Sequence, residues 1–172
     1  MLISKIIRKC ARYWAVVGLA FGVPAYAAPH VAIAESSANA PAGCTGPVST
    51  FWLKVIVEGV RSSNGLIAIT LYADDSSRFL MKGGSIYVGR TSAVAGTTAS
   101  CIYVPRPGVY VLAIYHDENG NQKFDRTGFG LPAEAYGFSN NPSTLLGLPA
   151  FRSVRLDVIR SGLTSHIRLK YP

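Results

Sequence analysis

The sequence predicts an all-β protein, an immunoglobulin-like or transthyretin-like antiparallel β-sandwich of about seven strands. Three observations carry this expectation. Short stretches of alternating apolar and polar residues recur from residue 51 onward, separated by Gly, Pro, Asn and Asp turn signals. Helical periodicity is almost absent. One stretch, Val109 to Tyr115, is apolar on both faces, as a central strand covered on both sides would be. A barrel strand usually keeps one wet face, so this run favours two packed sheets over a closed barrel.

In chain order, residues 1–27 read as a signal peptide. Lys5, Arg8, Lys9 and Arg12 precede an apolar run from Trp14 to Val23, and Ala25-Tyr26-Ala27 supplies a small-x-small cleavage site. The run is shorter than the roughly 20 residues that span a bilayer, which argues against an uncleaved anchor. Pro41-Ala42-Gly43 before Cys44 resembles a lipoprotein box. However, Pro41 stands where a leucine-like residue belongs, and Glu35 and Asn39 separate Cys44 from the apolar run. The expectation is a periplasmic or secreted protein with no transmembrane segment after cleavage. Four of the 17 basic residues and none of the 9 acidic ones lie in 1–27, so the charge falls from +8 to +4 on cleavage. The high pI is thus partly an export feature, and no nucleic-acid partner is expected.

Residues 28–49, rich in Ala, Pro, Ser and Gly, read as a flexible arm before a single β-sandwich domain at 50–172. Cys10 leaves with the signal. Cys44 and Cys101 remain as an even pair in an oxidising compartment and are expected to form a disulfide tying the arm to a strand.

Phe51, Leu53, Val55 and Val57 share one strand face, with Lys54 and Glu58 opposite. Ser62-Ser63-Asn64-Gly65 has the Asn-Gly signal of a tight turn, and Ile67, Ile69 and Leu71 point inward on the next strand. These two strands are expected to form a hairpin. Asp74 or Asp75 would cap a short helix running to Lys82 and stopped by Gly83, with Phe79 and Leu80 folded onto a sheet edge. Ile86 to Arg90 and Thr97 to Val104 are strands, the latter with Ala99, Cys101 and Tyr103 on one face. Pro105 to Gly108 is a turn. Val154, Leu156 and Val158 oppose Arg155 and Asp157; after a Ser161-Gly162 turn, Ile167, Leu169 and Tyr171 oppose His166, Arg168 and Lys170.

The loop HDENGNQKFD directly follows the central strand. Numbering Asp117 as one places Asn119 at three, Asn121 at five, Lys123 at seven and Asp125 at nine. A calcium loop takes side-chain oxygens from positions one, three and five, a backbone carbonyl from seven, and a direct or water-bridged ligand from nine. Two positions depart from that pattern. Gln122 stands where a glycine makes the sharp turn, and Gly128 stands where a bidentate glutamate closes the shell. Glu134 or loop carbonyls would have to complete the site, with a weak dissociation constant on the order of 10⁻⁴ to 10⁻³ M. The same residue types also form plain turns whose side chains satisfy nearby amides, and the spacing leaves both readings open.

Tyr136, Phe138, Asn140 and Asn141 form a loop that would either stack on a sugar or peptide, or pin itself onto the sandwich. The basic residues Arg152, Arg155, Arg160, Arg168 and Lys170 would meet anionic envelope components or serve as a solvated face. His116 and Asp117 are neighbours in a strand and point to opposite faces, and no nucleophile or oxyanion motif accompanies them. His30, His116 and His166 are too scattered for zinc. No catalytic residue is assigned.

From Leu53 to Tyr171 the chain resembles a bacterial family known only as domain of unknown function 2141. The resemblance rests on Gly108-Val109-Tyr110, on HDENGNQKFD at 116–125 and on GLPAEAYGFSNN at 130–141. It implies an exported envelope protein with a β-sandwich and no assigned reaction. Family sequences commonly carry Gly where this chain has Gln122. The spacing of Asp117, Asn119, Asn121 and Asp125 is also similar to calcium loops in the B-type repeats of bacterial surface adhesins, a likeness confined to one loop. The function read from sequence is an exported, non-catalytic envelope module, calcium-stabilised, whose partner is an envelope component or a glycan. The alternatives are a carbohydrate- or peptide-binding domain using residues 136–141 and, last, a hydrolase centred on His116 and Asp117.

Overall fold

Eight strands fold into two facing sheets, with no α-helix among the described residues. The computed structural model describes residues 40–144 and 148–172. Residues 1–27, expected to be a signal peptide, and residues 28–39 of the expected arm lie outside the described residues. The strands are β1 (Phe51–Val60), β2 (Leu66–Ala73), β3 (Tyr87–Ser92), β4 (Gly96–Val104), β5 (Gly108–Asp117), β6 (Tyr136–Phe138), β7 (Arg155–Val158) and β8 (Leu163–Arg168). One sheet has the order β4-β1-β8. The other has the order β3-β2-β5-β6, with β7 pairing β5 beyond the β6 stretch. The sandwich and the central place of β5 agree with the sequence expectation.

The inward faces also agree. Leu53, Val55 and Val57 of β1, Ile67, Ile69 and Leu71 of β2, and Ile167 of β8 are essentially inaccessible to water and share one core with Ile102, Leu112 and Ile114. Burying such side chains stabilises by about 1.5–3 kcal/mol each.

Strand partners differ from the expectation. β1 and β2 make no hairpin: the 62–65 turn carries the chain from one sheet to the other, and the Ser161-Gly162 turn does the same between β7 and β8. Alternation fixes which face of a strand is buried, yet two strands can look into the same core from opposite layers. One consequence is that β8 lies parallel to β1, so the sandwich is not purely antiparallel.

No helix forms at 74–84. Bonds from the Arg78, Met81 and Gly84 amides to the Asp75, Arg78 and Met81 carbonyls close successive three-residue turns, and Leu80 takes a left-handed φ of 58°. That break prevents the i to i−4 ladder a helix needs. Phe79 does fold onto the sheet, edge-on to Tyr72 and Phe138.

The described end of the arm is held in place rather than free. Cys44 and Cys101 form a disulfide with a Cα–Cα distance of 4.6 Å. Thr45 bridges Ile102, its amide bonding the Cys101 carbonyl and its carbonyl accepting the Tyr103 amide, so it covers the outer edge of β4. The Tyr87 hydroxyl of β3 donates to the Tyr103 carbonyl and closes this side of the sandwich; burial pushes the Tyr87 phenol pKa up. On the opposite side, two backbone bonds between Tyr136 and Lys170 join the sheets.

Candidate functional site

Asp117 ends β5 fully buried, and the loop after it is built on its carboxylate. One oxygen accepts the Asn121 amide at 3.0 Å and the other the Gln122 amide at 2.7 Å. The Asn119 side-chain oxygen accepts the Asn121 amide, and the Asn121 side-chain oxygen accepts the Lys123 amide. The side-chain nitrogens of Asn119 and Asn121 both donate to one Asp125 oxygen, each at 2.8 Å. The spacing read from sequence therefore does bring these residues together, with Asn121 bridging the two aspartates. Each asparagine oxygen uses one lone pair on the backbone and retains another.

Two further residues belong to this loop. Gln122 has φ 61°, the left-handed shape that the glycine of a calcium loop supplies, even though it costs a residue with a Cβ about 1–2 kcal/mol. Glu134 returns from the far end of the loop. One of its oxygens accepts the Asp125 amide at 3.0 Å, while the other is buried with no hydrogen-bond partner. Burial, followed by the charges of Asp125 and Asp117, holds the Glu134 carboxyl above its ordinary pKa despite that bond. Among the described residues none of Asp117, Asp125 and Glu134 has a salt-bridge partner. Nor do three or more His, Cys, Asp or Glu side chains converge as a metal cluster among the described residues. A cation here would therefore depend on the asparagine oxygens and the Lys123 carbonyl as well.

Glu118 points away from the loop. Its carboxylate pairs with Arg61 and accepts from Ser62 at 2.9 Å. The Arg61 hydrogen bonds lower its pKa from 4.5 to about 2. The pair thus stabilises the fold fully above about pH 4.5, and that stabilisation is lost as pH falls toward 2. Exposure of Arg61 keeps the effect small. The melting-temperature gap between the wild type and Arg61→Ala should close over this pH window; a gap of constant size would contradict the assignment.

His116 faces the core, fully buried. Its Nδ1 meets the Tyr171 hydroxyl at 2.8 Å and its Nε2 the Asn64 carbonyl at 2.9 Å. The Asn64 carbonyl can only accept, so Nε2 donates to it. His116 and Asp117 thus project to opposite sides of β5. His166 is exposed and pairs with Glu58 at 3.0 Å.

A groove of about 450 Å³ lies on the outer face of the five-stranded sheet. Thr70 sits beside Ala113, and Ala113 beside Phe138; in the adjacent row Tyr115 sits beside Tyr136. Small side chains at Thr70 and Ala113 leave the floor low between aromatic walls. Phe124, next to Asp125, packs edge-on to Tyr115 and Tyr136 with ring centroids 5.4 and 6.4 Å away, so the acidic loop forms one wall.

Tyr136 and Phe138 line this groove, whereas Asn140 and Asn141 do not; Asn141 lines a smaller cavity of about 230 Å³ with Tyr136, Phe138, Arg168 and Lys170. The Asn140 amide bonds the Ser153 and Arg155 carbonyls, and Asn141 bonds the backbone of His166 and Arg168. Both have positive φ, which asparagine tolerates, so they shape the turn after β6. Thr70, Ala113 and Tyr115 acquire their roles from strand register, and Phe124 and Glu134 from the path of the loop between β5 and β6. The one advance signal was the double-sided apolar character of β5, which called for a cover on its outer face.

A family model described as an uncharacterised protein conserved in bacteria, DUF2141, matches residues 55–166. The chain belongs to this family. The matched stretch contains the acidic loop, Glu134 and the lining of the groove. No curated protein and no solved structure matches the chain. No helix among the described residues of this DUF2141 protein is long and apolar enough to cross a membrane.

Proposed function

We propose that this DUF2141 protein is an exported, non-catalytic envelope module whose 117–134 loop takes up calcium. The observation that carries the reading is the free buried oxygen of Glu134 beside a loop whose sixth position, Gln122, has the left-handed φ of a calcium loop's glycine. In this reading Asp117, Asn119, Asn121, Asp125 and Glu134 offer side-chain oxygens and Lys123 its carbonyl. A dication would offset the burial, and after it the carboxylate charges of Asp125 and Asp117, that keep Glu134 above its ordinary pKa.

The test is a thermal melt with millimolar calcium or with chelator. Calcium that binds only the folded chain raises the melting temperature with ligand excess. Glu134→Gln removes a buried charge, so it should melt higher than the wild type in chelator and lose most of the calcium response. A wild-type melt that ignores calcium would remove the ion from this account.

A second reading has its own support in the aromatic groove over Tyr136 and Phe138. Here the module binds a small ligand, a glycan or a peptide in the first instance. Ligand retention should then be lost in Tyr136→Ala; retention unchanged by that substitution would exclude the groove.

A further inference from the structure

We propose that the outer-face groove holds one single-chain anionic amphiphile, with its apolar body over Thr70, Ala113 and Phe138 and its anionic head against Arg126. The inference rests on the reading of this groove as a ligand site and changes the class of ligand. Three observations narrow that class.

The first is what the lining lacks. Among the described residues it contains no Asp, Glu, Asn, Gln or His side chain. A sugar offers many hydroxyls, each needing a donor or acceptor when it leaves water, and unpaired polar groups are costly. This groove provides the hydroxyls of Thr70, Tyr72, Tyr115 and Tyr136 and one guanidinium. A long apolar body with one polar end meets that supply far better.

The second is charge. Among the described residues Arg126 is the single charged residue of the lining, and none of them gives it a carboxylate partner. One nitrogen donates to the Gly130 carbonyl at 2.9 Å, and the guanidinium stands 5.2 Å from the Phe124 ring centroid. These contacts hold it in position while leaving other N–H donors for an anion.

The third is size and rim. A volume of about 450 Å³ falls within the roughly 300–1,000 Å³ of small-molecule sites, which suits one free molecule rather than a bilayer. Leu80, Leu131 and Leu148 line the groove with 39, 58 and 59% of their surface exposed, so apolar side chains face the entering chain.

The experiment is calorimetric titration of the full protein with dodecanoate below its micelle concentration, and with dodecyltrimethylammonium. Saturable 1:1 uptake of dodecanoate is expected. Arg126→Gln should weaken it about tenfold or more. Ala113→Leu, which raises the floor without touching the core between the sheets, should abolish it. Equal affinity for the cationic chain, full affinity in Arg126→Gln, or binding to phosphatidylglycerol vesicles without uptake of free dodecanoate would each overturn the proposal. Should a glycan array or peptide bind in a Tyr136→Ala-sensitive way while dodecanoate does not, the groove remains a ligand site and the amphiphile is wrong. If Tyr136→Ala and Ala113→Leu change the binding of no probe, both readings fall.

Discussion

Replacing Cys44 and Cys101 together by serine should lower the free energy of unfolding by about 4 kcal/mol, the chain-entropy cost of reopening a long loop. The bridge closes a separation of 57 residues. It also fixes Thr45 against β4, where two backbone bonds cover an edge that would otherwise face solvent. Tyr87, reaching from β3, bonds the Tyr103 carbonyl of the strand so covered. The variant should therefore lose stability and gain a tendency to self-associate through β4. Urea denaturation compares the two proteins directly, and a loss below about 1 kcal/mol would mean the arm contributes little.

Gly65→Ala should cost about 3 kcal/mol, as overpacking against a rigid neighbour does. Gly65 has φ 66°, and an added Cβ would stand 1.9 Å from the Asp117 carbonyl oxygen. That oxygen belongs to backbone and cannot rotate away. The preceding carbonyl, Asn64, accepts from His116, and the Gly65 carbonyl accepts the Ala93 amide, so the turn is held on both sides. Displacing it would move Asp117 and with it the acidic loop. Gly120→Ala is the control. Its φ is 70°, but nothing lies within 4 Å of the added atom, so only the backbone strain of about 1 kcal/mol remains. Equal losses at the two positions would show that conformational strain, not close packing on Asp117, is what Gly65 relieves.

These two glycines illustrate how far the sequence could be read. Alternation placed Leu53, Ile69 and Ile167 inside correctly, because a period of two specifies a face. It could not specify a neighbour. The Asn64-Gly65 signal marked a turn, and only the pairing of β1 with β4 and β8, and of β2 with β3 and β5, shows that the turn changes sheets. The loop was legible for the same reason as the strand faces: Asp117, Asn119, Asn121 and Asp125 are local in sequence and meet locally. Glu134 was named as one way to complete the shell, yet its unsatisfied oxygen depends on how the loop returns to β6. Gln122 counted against the loop by residue type, although its backbone adopts the required shape. The groove was hidden, since it arises where Thr70 and Ala113 fall side by side in the β2–β5 register. Asn140 and Asn141 use their side-chain amides on nearby backbone, a structural role that residue type alone does not separate from ligand recognition.

A crystal structure grown in millimolar calcium tests the central claim, that 117–134 is a cation loop, most directly. The account predicts one ion at about 2.3–2.6 Å from oxygens of Asp117, Asn119, Asn121 and Asp125 and from the Lys123 carbonyl, with Glu134 turned toward it. A loop without an ion, in which the Asn119 and Asn121 amides still rest on Asp125 and the second Glu134 oxygen stays unpartnered, would contradict it.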